Sequence, residues 1–209
     1  MKRGISGLYA VTPDTNDSPE LLAKVEAALS GGARLLQYRN KSASAALRLT
    51  QGRALLALCW EYQVPLIIND HLDLALALDA PGLHVGGEDG SVIEARKRLG
   101  PDKILGVSCY GRVENAVTAA DAGATYVAFG GFFPSKVKPG AARTPVELLG
   151  EAKRAVKLPI VAIGGITLDN APSLLAAGAD SVAVISALFE APDVRGAARG
   201  FGKLFRKRP

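Results

Sequence analysis

The sequence predicts an α/β fold, a single (β/α)8 barrel over residues 1–209. Apolar runs of strand length alternate with Ala- and Leu-rich stretches of helical spacing along the whole chain, which is typical of a parallel sheet covered by helices. Gly-Ala pairs stand before three of the expected strands, at Gly32-Ala33, Gly123-Ala124 and Gly178-Ala179. Glycine there permits the left-handed turn that ends a helix. A hydrophobic fraction of 48% is enough to fill one large core.

Eight apolar runs are the predicted strands, in the order GLYAVT, ARLLQYRN, VPLIIND, GLHVGG, ILGVSC, TYVAFGGFF, PIVAIGGI and DSVAVISALF. The predicted helices between them include PELLAKVEAALSGGA, SAALRLTQGRALLALCWEY, SVIEARKRLG, VENAVTAADAGA, PVELLGEAKRAV and LDNAPSLLAAGA. Eight such units in 209 residues lie near the lower bound of about 200 residues for a barrel. The alternative is an open doubly wound sheet, but the segment LYAVTPDTND lacks the glycine fingerprint expected after its first strand.

Charge and hydropathy exclude some classes of partner. The formal net charge is +5, but six cations follow Asp193 without an acid, and the remainder would carry about −1. We therefore expect a solvated final helix and a basic tail at about 203–209, and neither a nucleic-acid nor a membrane partner. The N-terminal segment lacks the apolar region of a signal peptide, so a cytoplasmic protein is expected.

Three residues of reactive types have structural explanations. Cys59 and Cys109 fall in a predicted helix and strand without CxxC spacing, which favours reduced, structural thiols. His84 alternates with Leu83 and Val85 in the fourth strand, and a hydrogen-bonded core histidine is the favoured interpretation.

Polar residues follow the strands at their carboxyl ends, where barrels carry their chemistry. Because side chains alternate along a strand, Gln37, Arg39 and Lys41 share one face, while Tyr38 and Asn40 point the other way. A strand that merely runs out into solvent is the alternative for this segment. Later strands add further polar residues, namely Asn69, Asp70, Glu88, Asp89, Ser108, Ser135, Lys136 and Lys138.

The carboxylates among these residues predict a metal site. Asp70 and Asp89 end neighbouring strands, and Mg²⁺ takes one or two carboxylates together with water and phosphate oxygens. Arg39, Lys41 and Lys138 would neutralise the remaining phosphate charge.

Strands seven and eight end differently, in Gly164-Gly165 and in Ile185-Ser186. Backbone amides in these loops can bind a monophosphate, as they do in many barrels. The alternatives are a tight turn at positive φ for the glycines and a helix N-cap for Ser186. Two phosphate regions, one with a metal, predict two phosphorylated substrates.

With these residues in place, the chain from Gly7 to Phe189 resembles the thiamine-phosphate synthases, also called thiamine-phosphate pyrophosphorylases. Seven motifs carry the resemblance in order: QYRNK, IIND, GLHVGGED, GVS, FGGFFPSKVK, VAIGGI and VISALF. Gly87, Tyr110 and Val137 depart from the family's usual residues. The Val137 departure would remove one hydroxyl contact, worth roughly 1 kcal/mol.

The resemblance implies an enzyme that joins 4-amino-2-methyl-5-hydroxymethylpyrimidine diphosphate to a thiazole phosphate or its carboxylate. The products are thiamine monophosphate and pyrophosphate. Family chemistry is largely dissociative: pyrophosphate leaves first, and the thiazole nitrogen captures the pyrimidine methylene cation. Mg²⁺ is the implied cofactor. A thiazole tautomerase on the same barrel and a non-catalytic phosphate-binding regulator are the alternatives, and a homo-oligomer is compatible with a sequence that does not indicate its oligomeric state.

Carried over residue by residue, the resemblance implies four groups of site residues. The pyrimidine diphosphate would contact Gln37, Tyr38, Arg39, Asn40, Lys41, Asn69, Ser108 and Lys138. The implied catalytic residues among these are Lys138, Arg39, Lys41 and Ser108, and the implied metal ligands are Asp70 and Asp89. The thiazole phosphate would contact Ser135, Lys136, Val137, Gly165, Ile185 and Ser186.

Overall fold

The computed structural model describes residues 4–86, 92–134 and 143–206, and its centre is a closed barrel of eight parallel strands. The strands follow one another in chain order, and β1 pairs with both β2 and β8. This closure confirms the predicted barrel and excludes the open sheet. The strands are β1 Gly7–Val11, β2 Leu35–Tyr38, β3 Leu66–Asn69, β4 Gly82–Val85, β5 Ile104–Tyr110, β6 Tyr126–Phe129, β7 Ile160–Ile163 and β8 Ser181–Val184.

The helices of the described residues are α1 Ser18–Ser30, α2 Ala45–Glu61, α3 Leu72–Ala77, α4 Val92–Leu99, α5 Val113–Asp121, α6 Leu148–Ala155, α7 Ala171–Ala176, α8 Ser186–Phe189 and α9 Val194–Arg206. Two of them differ from the sequence prediction. Helix α3 was not predicted, because its leucines recur at every second position in LDLALA, which is not helical spacing. The last predicted strand divides after Val184, and its second half forms α8.

Alternation along each strand creates two separate cores. Inward-facing side chains such as Tyr9, Leu35 and Tyr126 fill the barrel interior. Their neighbours Leu8 and Leu36 face outward and pack in the layer beneath the helices. The position of a residue in this alternation therefore decides whether its side chain can reach the interior.

The Gly-Ala pairs end their helices as predicted. Gly32, Gly123 and Gly178 have φ values of 105°, 89° and 116°, in the left-handed region that favours glycine. In each pair the alanine amide donates a hydrogen bond back to a carbonyl of the preceding helix. Each helix thus turns directly into the next strand.

The C-terminal helix α9 packs against α1 and buries Ala198 and Phe201. Lys203 and Arg206 belong to this helix, so it extends into the segment predicted as a basic tail. Residues 207–209 lie outside the described part of the chain. None of the helices in the described part combines the length and apolar character needed to cross a bilayer.

Both cysteines are free and buried, as the sequence indicated. Burial in apolar surroundings raises the pKa of Cys59 and of Cys109 to about 12. Neither thiol ionises near neutral pH, which agrees with a structural role.

Candidate active site

A cavity of about 1070 Å³ opens at the carboxyl ends of the strands, and all eight strands or the loops that follow them contribute to its lining. Its size lies at the upper end for small-molecule sites, which suits two small ligands. The cavity brings together nine of the predicted site residues: Gln37, Arg39, Lys41, Asn69, Asp70, Ser108, Gly165, Ile185 and Ser186. Five others, Asp89, Ser135, Lys136, Val137 and Lys138, lie outside the described residues.

The cationic end of β2 is held by the end of β1. The Arg39 guanidinium donates to an Asp14 carboxylate oxygen at 3.0 Å, and the same oxygen accepts the Lys41 backbone N–H at 2.8 Å. Thr12 adds two hydrogen bonds to the backbone of Arg39. These contacts fix the direction in which both cationic side chains leave the barrel.

Sequence reasoning missed Asp14 and Thr12. Both lie at the carboxyl end of the first strand, in the segment VTPDTND, which is the position that identified the other site residues. Arg143 also lines the cavity and was not predicted.

Asp70 is held in a defined orientation at the end of β3. Its φ of 62° lies in the left-handed region, and its backbone N–H donates to the His84 carbonyl at 2.8 Å. Asn69 donates its side-chain amide to Asp70 Oδ2 at 2.6 Å, and Lys41 Nζ lies 3.9 Å from the same oxygen. A carboxylate is thus presented to the cavity beside a cation.

The donor set suits Mg²⁺ as far as the described residues go. Mg²⁺ prefers oxygen ligands and keeps several waters, so it needs only one or two carboxylates besides phosphate oxygens. Within the described ranges no three His, Cys, Asp or Glu side chains cluster around one point. Asp70 fits a site in which one or two carboxylates hold Mg²⁺ together with water and phosphate oxygens. The second predicted ligand, Asp89, lies outside the described residues.

A chain of buried hydrogen bonds crosses the floor of the cavity. Gln37 Nε2 lies 3.0 Å from the Tyr9 hydroxyl, which lies 2.8 Å from that of Tyr126. The Tyr126 hydroxyl lies 2.9 Å from His84 Nδ1, and His84 Nε2 lies 2.9 Å from Ser108 Oγ. The prediction of a hydrogen-bonded core histidine is confirmed, and the histidine touches a predicted site residue.

Burial keeps this chain uncharged near neutral pH. It raises the pKa of the Tyr9 and Tyr126 hydroxyls well above the usual range and lowers the pKa of His84 to about 4. The chain therefore offers the cavity hydrogen-bonding groups rather than a titrating base.

Gly106 makes room for this chain. It lies on β5 opposite Tyr126, and a Cβ atom at Gly106 would overlap the Tyr126 ring. Sequence reasoning missed Tyr9 and Tyr126, although both occupy inward-facing positions on their strands.

The side chains of Tyr38 and Asn40 lie outside the lining of the cavity, and their contact with the pyrimidine diphosphate stays a prediction. The Tyr38 hydroxyl donates to Gln51 Oε1 at 2.7 Å, and Asn40 Nδ2 contacts the same oxygen at 3.1 Å. Gln51 lies on α2, outside the barrel, and is buried. Alternation sends these two side chains outward and leaves Gln37, Arg39 and Lys41 facing the cavity.

The opposite wall is a glycine turn after β7. Gly164 and Gly165 have φ values of 109° and 62°, and a Cβ atom at Gly165 would overlap the Pro134 carbonyl oxygen. Phe133 N donates to the Gly164 carbonyl at 3.1 Å, and Asn170 Nδ2 donates to the Gly165 carbonyl at 3.0 Å. Both glycines are required by the turn itself, and their contact with a phosphate stays a prediction.

Ser186 lies beside this turn, at the first position of α8. The N-cap residue is Ile185, so the N-cap interpretation of Ser186 is wrong by one residue. Both residues line the cavity, and β8 is separated from β2 by β1 alone.

A barrel whose strand ends gather cations, a carboxylate and a glycine turn around one cavity belongs to the class of enzymes that act on phosphorylated small molecules. Comparison with known proteins narrows the class. The family model for thiamine monophosphate synthase matches residues 8–188. The chain belongs to this family.

Curated relatives agree over nearly the whole chain. A thiamine-phosphate synthase of Nitrosomonas eutropha is 55% identical over 201 residues, covering 96% of this chain and 95% of that protein. A thiamine-phosphate synthase of Janthinobacterium sp. is 54% identical over 207 residues, covering 99% of this chain and 100% of that protein. Among solved structures, the thiamine phosphate pyrophosphorylase of Pyrococcus furiosus matches with a TM-score of 0.86 and 36% identity, covering 96% of both chains.

Proposed function

We propose that the chain is a transferase of thiamine biosynthesis. It condenses 4-amino-2-methyl-5-hydroxymethylpyrimidine diphosphate with a thiazole phosphate, giving thiamine monophosphate and pyrophosphate. The observation that carries the proposal is the convergence of Arg39, Lys41 and Asp70 on a cavity whose other wall is the Gly164-Gly165 turn. The family match and the named relatives supply the reaction.

The β2 and β3 ends hold the diphosphate. Arg39 and Lys41 provide two positive charges, and they stabilise negative charge that grows on the leaving pyrophosphate as the carbon–oxygen bond breaks. Lys138, which lies outside the described residues, is proposed to add a third positive charge. Asp70 and Asp89 would hold Mg²⁺, which when bound supplies charge neutralisation on the phosphate oxygens.

The remaining cavity residues hold the two reacting groups in line. Gln37 and Ser108 contact the pyrimidine diphosphate from the floor of the cavity. The Gly165 turn, Ile185 and Ser186 hold the thiazole phosphate, with Ser135, Lys136 and Val137 as further proposed contacts. Because the departing group leaves without a proton transfer, alignment and charge stabilisation are the main tasks of the protein.

A tautomerase on the same barrel is less well supported. Isomerising a thiazole phosphate requires no diphosphate site, whereas the presence of Arg39, Lys41 and Asp70 in the cavity lining supports the proposal of one. A non-catalytic regulator would bind phosphates without turnover. The cytoplasm stays the predicted location.

Pyrophosphate release separates these alternatives. The purified chain should release pyrophosphate when both substrates and Mg²⁺ are present. It should release none when either substrate is omitted or when the metal is chelated. Arg39→Ala should lower the rate at least about tenfold, because a cation at the leaving group is lost. Arg34→Ala, an exposed arginine at the other end of the barrel, should leave the rate unchanged. Binding of both substrates without pyrophosphate release would contradict the proposal.

A further inference from the structure

The buried chain across the cavity floor joins residues from five strands. Its four contacts run from Gln37 to Tyr9, then to Tyr126, His84 and finally Ser108, with lengths between 2.8 and 3.0 Å. Tyr9 and Tyr126 are buried, and Gln37 and His84 are 5% and 7% exposed. Gln37 and Ser108, the two ends, line the cavity.

Each inner member of this chain carries one proton to donate along it. A tyrosine hydroxyl has one, and a neutral imidazole has one N–H, on either Nδ1 or Nε2. If Tyr126 donates to Nδ1, the imidazole proton must be on Nε2, and His84 then donates to Ser108. The chain can run the other way only if the Gln37 amide exchanges its oxygen and nitrogen, and a mixed arrangement would leave a buried hydroxyl proton without an acceptor. The two ends therefore always present opposite groups to the cavity.

The charge of the cavity selects one of the two directions. Arg39, Lys41 and Arg143 line it, so an anion is its expected occupant. A hydroxyl beside an anion donates its proton to it, so Ser108 must accept from His84 Nε2–H. The direction then follows back through Tyr126 and Tyr9 to the Gln37 amide nitrogen, and Gln37 Oε1 remains as an acceptor.

We infer that this proton-ordered chain sets the hydrogen-bonding character of both ends of the pyrimidine diphosphate site. It makes Ser108 a donor to the diphosphate and Gln37 an acceptor for a donor group on the ring, such as an exocyclic amine. Tyr9, Tyr126 and His84 are positioning residues, which act through Ser108 and Gln37. The identity of the two ligand groups rests on the proposed function, whereas the direction of the chain does not.

The protonated nitrogen of His84 is the first test, and it needs no activity. The chain contains two histidines, so ¹⁵N spectra of the wild type and of His71→Gln assign the His84 imidazole. At pH 7.5, with inorganic pyrophosphate added as the anion, the spectrum should show the Nε2–H tautomer alone. The Nδ1–H tautomer, or an equal mixture of both, would overturn the inference even if pyrophosphate release confirmed the synthase.

The second test asks whether the tyrosines act through Ser108 and Gln37, the two ends of the chain. Tyr126→Phe and Tyr9→Phe should each lower kcat/KM for the pyrimidine diphosphate by about tenfold, the effect expected of one hydrogen bond to a charged group. In a background that carries both Ser108→Ala and Gln37→Ala, the same substitutions should change kcat/KM by less than about twofold, because both residues that they position are gone. Equal losses in both backgrounds would assign the tyrosines a structural role and overturn the inference.

Ser181→Ala provides a matched control. Ser181 is a buried residue of β8 whose hydroxyl donates to the Gly7 carbonyl at 2.8 Å, away from the chain. Its loss should leave both the His84 tautomer and kcat/KM within about twofold of wild type. If neither the wild type nor any variant releases pyrophosphate, the proposed function fails. The same comparison of variants is then made with the affinity for inorganic pyrophosphate, measured by calorimetry, in place of kcat/KM.

Discussion

The two walls of the cavity are built in different ways. The wall formed by β2 to β5 consists of side chains that bind one another, from the Asp14–Arg39 pair to the buried chain that ends at Ser108. The wall formed by the ends of β7 and β8 consists of a turn with two glycines at positive φ and of uncharged side chains such as Ile163, Ile185 and Ser186. The first wall is suited to a diphosphate with its metal, and the second to a single phosphate.

The two walls are therefore vulnerable to different substitutions. Removing one side chain from the first wall leaves a partner without its hydrogen bond or counter-charge. The described side chains of the second wall carry no charge, so an added charge is what disturbs it.

An added charge on the backbone wall should give the largest effect. Ser186→Asp would place a carboxylate near the thiazole phosphate, and like charges about 4 Å apart repel by on the order of 4 kcal/mol at an effective dielectric near 20. Allowing for solvent screening, we expect the KM for the thiazole phosphate to rise at least about a hundredfold. Steady-state kinetics measures it, with the neutral Ser186→Asn as the control.

Pyrimidine diphosphate affinity should stay within about threefold of wild type in Ser186→Asp, measured by calorimetry with Mg²⁺. Equal loss of both substrates would mean that the two walls form one merged site.

The side-chain wall should respond to acid through His84. Its folded pKa of about 4 lies below the ordinary value of 6.5, so the unfolded state binds a proton first as the pH falls. The contribution of neutral His84 to the free energy of unfolding is fully present above about pH 6.5. It is lost toward pH 4, by up to about 3 kcal/mol. Chemical denaturation at pH 7.5 and 4.5 measures this loss.

Replacing His84 identifies the group responsible. His84→Gln should remove most of the loss of stability. His71→Gln should retain most of it, because burial lowers the pKa of His71 as well but His71 is less deeply buried than His84. A loss of equal size in His84→Gln would assign it to other groups.

Loss of one metal ligand should have a moderate effect. Asp70→Asn keeps the size of the side chain but removes the charge, so the Mg²⁺ concentration for half-maximal rate should rise about tenfold or more. The rate as a function of Mg²⁺ concentration checks this, and thermal unfolding verifies that the fold is intact. Asp73→Asn, on the exposed face of α3, is the matched control. An unchanged Mg²⁺ requirement in Asp70→Asn would remove Asp70 from the metal site.

Tyr38→Phe should have the smallest effect on catalysis. Its hydroxyl binds Gln51 on the outer face of β2, so kinetic constants should stay within about twofold while stability falls by about 1 kcal/mol. Tyr9→Phe removes the same atom from the inner face and provides the contrast. A tenfold loss of kcat/KM in Tyr38→Phe would return Tyr38 to the site.

Local patterns were enough to predict the barrel and much of its side-chain wall. The eight apolar runs became eight strands, and alternation placed Gln37, Arg39 and Lys41 on the cavity side. Alternation also turned the side chains of Tyr38 and Asn40 towards Gln51 on α2. Helix α3 escaped prediction because its leucines recur at every second position, which is not helical spacing.

Contacts between distant segments could not be predicted. Asp14 and Arg39 are 25 residues apart and meet because β1 pairs with β2, whereas Tyr9 and Tyr126 are 117 residues apart and meet inside the closed barrel. No sequence pattern states that Gly106 leaves the space that the Tyr126 ring fills. The sequence predicted a tight turn at Gly164-Gly165. Because a tight turn and a phosphate site both require glycine at these positions, the glycines alone do not distinguish the two roles.

The central claim is that the two walls hold two anions at the same time. Calorimetric titration of inorganic pyrophosphate and Mg²⁺ into the protein already saturated with thiazole phosphate tests it directly. The account predicts that one equivalent of pyrophosphate still binds, with an affinity within about tenfold of that without thiazole phosphate. Exclusion of pyrophosphate by the thiazole phosphate would contradict two separate sites.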